Sequence, residues 1–573
     1  MPSIVSRKPH GCTQPVYYYH RTYRVKLNPD CSGKGPGSGP SKVKSEDVYL
    51  GTAEDILARF RSSVSANVEV SHKAFGMPLA VLQVVNELGI RNIINTHIPK
   101  RRQGMTPGDY ICLGIIAKLC APAVSWNGFR GWVSRTVLPG KLGLDPELLD
   151  SQNFWDHFDK ILPENGVHKP KPGGGICDDV IMDIEEDLWR RISHLYNIPL
   201  DCLLYDTTNY YTFFEPTTRS ELAAPGKNKA GRHELRQVGL ALAVTKDGGF
   251  PMLHTFFAGN LHDARLFPGN LTKMVHRLCA LGRGCEKVIL VMDKGNNSQE
   301  NFEMASRTGM YIVGSLVPAH NKDLMSVPLD RFSLKLGELV AYEGRKELWG
   351  IPAKVVVTYN QSLAERQKIG FEKALDRLTS ELGLSFEKHK DESKAEIEKA
   401  LEGVRRGSRV GGYVRYIVAG RRYKSLKVEV DAKKKARKEA TFGKRILFST
   451  DTSMNPETVV EIYNRDKSEI EDAFKMSKAP DIIRLQPIRH WTDSKIRVYG
   501  LICVLAMLVV KVMMRKLKES GMEMSPQVLK QELDDIREIA ILHATNEVET
   551  KVSAMSTVQK KLFDLFGLGR YTR

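Results

Sequence analysis

Two aspartates close apolar runs of the kind that form buried strands. Asp206 follows "LLY" in "LLYDTTNYYTFFE", and Asp293 ends "KVILVMD" just before "KGNNS". In an open α/β sheet, ligands collect at the carboxyl ends of the strands, above all near a switch in strand order. Two central strands that each finish on Asp would bring two carboxylates together. Like charges that close repel unless a divalent cation lies between them. Either aspartate alone is more simply read as the cap of the turn or helix that follows it. The pair is what points to a metal.

A third oxygen donor has to come from a helix laid on the sheet, and "VVEIYNRDKSEIEDAFKMSK" (459–478) supplies candidates. At 100° per residue, Val459, Ile462, Tyr463, Ile470, Ala473 and Phe474 share its buried face. Glu471, Lys467 and Lys478 fall within about 40° of one another at the edge of that face. Glu469 sits on the opposite edge, and Asp472 points to solvent. Geometry selects Glu471, although an ordinary ion pair of Lys467 with Glu471 would explain the same spacing.

Together, Asp206 in "YDTTNYYTFFE", Asp293 in "VMDKGNNSQEN" and Glu471 in "IEDAFKMSK" resemble the acids of DDE transposases of prokaryotic insertion sequences, in the insertion-sequence-four superfamily. The resemblance runs from "YLGTAEDI" through "GLALAVTKDGGFPM" and "FFAGNLHD" to "LQPIRHWTD", so it covers most of the chain. In that superfamily the third acid lies in a Tyr-x2-Arg-x3-Glu-x6-Lys signature. Glu471 and Lys478 match it. The Arg position holds Lys467, Tyr463 stands one residue further away than the pattern requires, and Arg465 is the candidate to replace the missing guanidinium.

The resemblance implies phosphodiester cleavage and strand transfer with two Mg²⁺ ions, for which Mn²⁺ can substitute. Asp206 would bridge both ions, with Asp293 and Glu471 each holding one. Water attack frees a 3′-OH at the transposon end, and the same site then directs that hydroxyl at target DNA. The expected partners are double-stranded DNA, as terminal inverted repeats and as target, and a second copy of the chain in a synaptic homodimer. Tyr463, Arg465, Lys467, Lys475 and Lys478 are the residues expected against DNA. Trp349 in "ELWGIP" is the only Trp between Asp293 and Glu471, and it is the expected stacking partner of an extruded base. Packing in the core is its plainer role. A nuclease that hydrolyses without joining, or a silent DNA-binding descendant, are the competing functions.

The acids need a sheet to hold them, and the pattern supplies one. Strands are expected at 202–206, 236–244 and 250–257, the last two joined by "KDGG". A helix at about 270–281, a strand at 287–293, the helix "SQENFEMASRTG" and the strand "MYIVGSLV" follow. This is the β-β-β-α-β-α-β order of a ribonuclease H-like α/β domain, with the first strand central beside the fourth. The expected fold is therefore α/β. A ribonuclease H-like mixed sheet is flanked by helices and interrupted by an α+β insertion domain, with mainly helical N- and C-terminal regions.

The chain is read in seven parts: a strand-rich region 1–65, a helical end-binding domain 66–162, a linker 163–176, the first part of the catalytic domain 177–317, an insertion 318–450, the helix that completes the catalytic domain 451–485, and a helical region 486–573. Within them, Thr52 and Asp55 have capping-box spacing. The stretch 361–404 reads as a helical hairpin turning near "ELGLSFEK", and 525–545 as a helix. The loop "GKNKAGRHEL" (226–235) is basic but lacks the Gly-Lys-Ser/Thr ending of a phosphate loop. His262 and Asp263 in "GNLHDARLF" are candidates to support the acids, with a turn or cap as the simpler role.

Composition agrees with this partner class. Lys and Arg number 85 against 67 Asp and Glu, a formal charge of +18 that suits a polyanion. The nine cysteines form no CxxC pair, so a zinc site is not expected, and several sit in apolar runs suited to a reducing compartment. "VYGLICVLAMLVV" (498–510) falls short of the roughly 20 residues of a membrane span and reads as a core helix. The expected location is the cytoplasm, on the nucleoid.

Overall fold

The computed structural model describes residues 2–11, 13–26, 41–64, 69–98, 104–163, 180–215, 217–226, 231–232, 234–420, 424–542 and 548–572, with backbone alone at 24–26, 41, 61–64, 69 and 465–467. The expected linker lies, beyond residue 163, outside the described residues. Two compact units result, Met1–Lys73 with Arg537–Ala554, and Ala74–Ile536 with Met555–Tyr571.

In the first unit, β1 (Ser3–Arg7), β2 (Val16–Lys26) and β3 (Ser41–Thr52) form an antiparallel sheet in that order. The helix Ala53–Val64 begins where its capping signal stands: the Thr52 N–H donates to the Asp55 carboxylate at 2.9 Å, and the Asp55 N–H returns to the Thr52 hydroxyl at 3.2 Å. β4 (Glu69–Ala74) closes this part of the chain.

The second unit opens with helices at Gly76–Glu87, Ile90–His97, Pro107–Cys120, Trp126–Val133 and Ser151–Ile161, as expected for 77–162. The strands that follow are β5 (Cys202–Tyr211), β6 (Ala224–Pro225), β7 (Arg236–Thr245), β8 (Pro251–Ala258), β9 (Ile289–Met292) and β10 (Tyr311–Ser315). β5 and β9 are parallel, as are β9 and β10, whereas β7 runs antiparallel to β5 and β8 antiparallel to β7. Both faces of these strands are covered, which is why β7 reads as a nearly unbroken apolar run rather than an alternation.

The helix expected from about 270 spans Asp263–Ala280, with Pro268 inside it. Pro268 cannot donate to the carbonyl of Ala264. That carbonyl instead accepts from Asn301 Nδ2 at 3.1 Å, so the helix survives its proline.

The stretch expected as an insertion, 318–450, is only partly set apart. β11 (Leu334–Leu336), β12 (Leu339–Leu348) and β13 (Ile351–Tyr359) extend the main sheet, which β16 (Lys444–Ser449) joins to β10. The sheet thus reads β11-β12-β13-β16-β10-β9-β5-β7-β6, with β8 also on β7. Between β13 and β16 lies a smaller body with its own core, made of helices Gln361–His389 and Lys394–Gly407, the hairpin β14 (Val414–Ala419) and β15 (Ser425–Val430), and the helix Ala432–Glu439. The first helix does not turn near "ELGLSFEK". Phe371, Leu375, Leu378, Leu382 and Phe386 continue one buried stripe through it, and the second helix starts at a Ser393/Glu396 capping box.

The helix Asp493–Glu519 is long and apolar enough to cross a membrane, but 89% of its most apolar stretch is buried inside the fold. It is a core helix, as its sequence suggested. The expected helix 525–545 is a correction: it ends at Asp534, and β17 (Arg537–Leu542) follows. β17 pairs with β18 (Val548–Val552), and the sheet β18-β17-β4 takes the near-C-terminal strands into the first unit. "REIAIL" fits either a helix or a strand, and partners that lie far away in sequence decide between them.

Candidate active site

The register of β5 and β9 places the first two acids. Leu204 stands opposite Val291 and Tyr205 opposite Met292, so the next residues, Asp206 and Asp293, stand at one level, Asp293 just past the end of β9 and Asp206 within β5, which runs on to Tyr211. Neighbouring strands are about 4.8 Å apart. β10 adds Ser315 at the same level, since Gly314 pairs with Met292.

Contacts of adjacent residues show which face these side chains take. Tyr205 meets the Asp263–Ala280 helix, its hydroxyl accepting from Asn270 Nδ2 at 2.9 Å, and the Thr207 hydroxyl donates to Asp263 at 2.8 Å. Thr208 and Tyr210 face the other way, onto the Lys467–Lys478 helix. There Lys478 Nζ donates to the Thr208 hydroxyl at 2.7 Å, and the Tyr210 and Ser477 hydroxyls are 2.6 Å apart. Side chains alternate along a strand, so Asp206 shares the face of Thr208. Asp263 therefore serves the opposite face and does not join the pair.

The helix that carries Glu471 crosses this same face. At one end the Tyr463 hydroxyl donates to Asp293 Oδ1 at 3.2 Å and lies 2.8 Å from Ser315 Oγ. At the other end Lys478 touches Thr208, two residues past Asp206. Glu469 marks the far flank, pairing with Lys511 at 3.1 Å. It also lies against Gly249 in the β7–β8 turn, where an added Cβ would stand 2.7 Å from Glu469 Oε2. Glu471 is two residues on from Glu469, about 200° around the axis, and seven from Lys478, which returns to within about 20°. It therefore stands on the flank turned to the carboxyl ends of the strands, and its side chain is exposed.

A π-helical turn, Ile462–Asp466, contains Tyr463 and precedes the helix that carries Glu471. Such a turn accommodates one extra residue. Tyr463 is one residue further from Glu471 than the signature allows, and the π turn absorbs that residue.

Among the described residues, no three His, Cys, Asp or Glu side chains are gathered closely enough to hold a metal ion. Asp206 and Asp293 are neighbours, and Glu471 is on the right flank without being drawn in. The side chains of Arg465 and Lys467 lie outside the described residues. Lys475 is exposed and pairs with Asp472 at 2.8 Å. Of the basic loop 226–235, Arg232 lies 5.6 Å from the Tyr211 ring centroid and pairs with Glu234 at 3.2 Å.

Trp349 is not brought to this place. It occupies the two-residue turn between β12 and β13 with φ 49°, followed by Gly350 at φ 80°. Its ring lies 4.3 Å from that of Phe302, on the rim of a cavity of about 450 Å³. Val356 of β13 is level with Ser315 through β16, and β13 runs in the sense of β10. Trp349, seven residues earlier, is at the opposite end of the sheet, about 23 Å along the strand direction. Sequence position between the second and third acids carried no information about which end of the sheet a hairpin tip would reach.

The molecule is thus a mixed α/β protein in which Asp206, inside a β5 that runs five residues beyond the expected strand end at 206, stands level with Asp293 at the end of β9, under a helix bearing a third carboxylate. No family model and no curated protein matches the chain. Among solved structures, it is similar to a piggyBac transposase in a synaptic complex with hairpin DNA, with a TM-score of 0.39 and 10% identity over 81% of this chain and 82% of that one. A likeness at that score carries no argument. The neighbour is described as a piggyBac transposase, and nothing in the match tests the expected insertion-sequence-four assignment.

Proposed function

We propose that this protein is a DDE-type transposase built on a ribonuclease H-like core, cleaving transposon ends and joining their 3′-OH groups to target DNA. The observation that carries the reading is the shared level of Asp206 and Asp293 on adjacent parallel strands, beneath the helix whose strand-end flank presents Glu471. The strand order β8-β7-β5-β9-β10, with β7 alone reversed among its first-strand neighbours, supports the core assignment.

The donor set suits Mg²⁺, which prefers carboxylate oxygens and keeps other positions for water and phosphate. Asp206, Asp293 and Glu471 would hold two such ions, with Mn²⁺ as a substitute, and the ions would neutralise charge on the attacking and leaving oxygens. The protein's own groups do the positioning. Tyr463 orients Asp293 by its hydrogen bond. Lys478 offers a cation beside Thr208, where a backbone phosphate near the cut would lie, and Lys475, Arg465 and Lys467 are further candidates for DNA contact on the same stretch of chain. DNA is the proposed partner, in a homodimer that pairs two transposon ends, within the cytoplasm.

The test is an in vitro reaction of the full chain with its own flanking terminal repeats and Mg²⁺. Joined products are expected. Nicks without joining would reassign it as a nuclease, and a shifted but intact DNA band as a binding protein. Asp206→Ala, Asp293→Ala and Glu471→Ala should each lower cleavage about a hundredfold or more while sparing DNA binding. A variant that cuts at the normal rate removes its residue from the site.

A further inference from the structure

Among the described residues no cysteine is joined in a disulfide, and Cys279 is the one that is exposed. Cys112, Cys202, Cys285 and Cys503 are buried and Cys120 is half-buried, so Cys279 is the described thiol that a dissolved oxidant meets first. It has a sulfur for a neighbour. Six residues further along the chain, the Cys285 thiol donates a hydrogen bond to the Cys279 sulfur. Burial, with the Cys279 sulfur beside it, pushes the Cys285 thiol up to about 11. One thiol is therefore open to attack, and the other waits protonated in contact with it.

The backbone holds the two sulfurs together from both sides. Cys279 lies in the last turn of the Asp263–Ala280 helix, which ends in a left-handed glycine cap. Gly282 has φ 69°, its N–H donates to the Cys279 carbonyl at 2.9 Å, and the Arg283 N–H returns to the Leu278 carbonyl at 2.9 Å. This cap reverses the chain, and glycine takes that conformation without strain. Beyond the turn, the Val288 N–H donates to the Cys285 carbonyl at 3.2 Å, and the Lys287 N–H to the Gly309 carbonyl at 3.0 Å, just before β9 begins at Ile289. Neither cysteine sits on an untethered loop. Residues 282–284 between them are exposed. Apart from chain neighbours, nothing lies within 4 Å of a Cβ added at Gly282 or Gly284, so the turn has room to adjust as a bond forms.

We propose that Cys279 and Cys285 form a peroxide-responsive modification site, in which Cys285 resolves an oxidised Cys279 into a disulfide and so spares it irreversible oxidation. Hydrogen peroxide transfers one oxygen to the Cys279 sulfur, giving the sulfenic acid and a water. The Cys285 sulfur then attacks Sγ of Cys279. The S–S bond forms as the S–O bond breaks, and the hydroxyl leaves as a second water with the Cys285 thiol proton. The two thiols lose two electrons between them, and one peroxide takes them up. Without a resolving thiol the sulfenic acid goes on to sulfinic acid, which thiols do not reverse, whereas the disulfide returns to two thiols by exchange with glutathione. A ring as short as 279–285 constrains the unfolded chain less than a long one, so the bridge acts as a reversible cap on the thiol more than as a support for the fold. The pair precedes β9, at the end of the strand away from Asp293, so its chemistry does not depend on the acids.

The test treats the full chain with stoichiometric hydrogen peroxide, blocks the remaining thiols by alkylation and digests with trypsin. Cleavage after Arg277, Arg283 and Lys287 leaves 278–283 and 284–287 as separate peptides, so the bridge joins them into one species that dithiothreitol splits. That species is the expected product, about two mass units lighter than its reduced parts together. Cys285→Ser should abolish it and raise dimedone capture of the Cys279 sulfenic acid about tenfold, with sulfinic acid following at higher peroxide. Cys279→Ser should leave Cys285 reduced at the same dose. Sulfinic acid on Cys279 of the unaltered protein without the joined peptides overturns the proposal. So does a bridge from Cys279 to any other cysteine, in the same chain or a second copy. A Cys279 that stays reduced at a dose oxidising other thiols overturns it as well.

Discussion

Tyr463 shows how much one hydroxyl can decide. It donates to Asp293 and meets Ser315 Oγ, so it ties the end of β9 to the end of β10 and sets the direction of a proposed metal ligand. Groups that orient a ligand in this way commonly change metal affinity or activity tenfold to a hundredfold when removed. Tyr463→Phe should therefore raise the Mg²⁺ concentration needed for half-maximal cleavage about tenfold or more, with DNA affinity little changed. Equal Mg²⁺ requirements in the two proteins would leave the phenol a packing residue. Asp206, Asp293 and Glu471 could be proposed from the sequence because each stands at a recognisable place, the end of an apolar run or the edge of a helix, although β5 itself continues past Asp206 to Tyr211. Nothing of that kind marked Cys279 and Cys285, which the helix cap at Gly282 brings together.

At the scale of elements, helix and strand ends are governed by local signals unless a distant partner overrules them. The Thr52/Asp55 and Ser393/Glu396 boxes start helices in the expected manner. The Pro268 helix and β17 went the other way, one rescued by Asn301 and the other claimed by β4 and β18. A buried ionic cluster pins three elements behind the active sheet. Arg277, fully buried, donates to Glu185 at 3.3 Å and to the carbonyls of Met252 and Met182 at 2.8 and 3.1 Å, while His254 meets the other Glu185 oxygen. Burial pushes the Glu185 carboxyl up, but the His254 and Arg277 contacts outweigh it and hold the group below its ordinary value of 4.5. Its stabilising contribution is complete above pH 4.5 and drains away as pH falls below that, because the unfolded chain takes up the proton first. Arg277→Ala should cost about 3–5 kcal/mol by leaving Glu185 without its guanidinium, read from urea unfolding of the full chain. Glu185→Gln should flatten the loss of stability below pH 4.5. A variant whose acid limb is as steep as that of the unaltered protein would show that other carboxylates control it.

For the whole molecule, one end of the main sheet gathers the features suited to DNA. Asp206 and Asp293 lie there. β13 leaves the sheet at that end into the body that carries "AKKKARKE" in the helix Ala432–Glu439. With a net charge of +18, affinity for DNA should fall steeply with salt. Six to ten phosphate contacts correspond to a loss of about 10³- to 10⁵-fold between 50 and 200 mM monovalent salt. Binding measured by fluorescence anisotropy across that range is the check, and a flat response would exclude an extended phosphate-tracking surface.

The order of strands and helices from 202 to 317 was legible because apolar periodicity and turn residues are local properties, and so was the face of the 459–478 helix that meets the sheet. Register is different: Asp206 comes level with Asp293 because two strands 87 residues apart pair in one alignment, and that alignment depends on the whole sheet packing at once. The same long-range pairing carried β12 and β13 into the main sheet and sent Trp349 to the wrong end of it. It also set Ile488 beside Thr212 at the end of β5. Residue type determined which chemistry was available, and only tertiary packing decided which groups stand together to perform it.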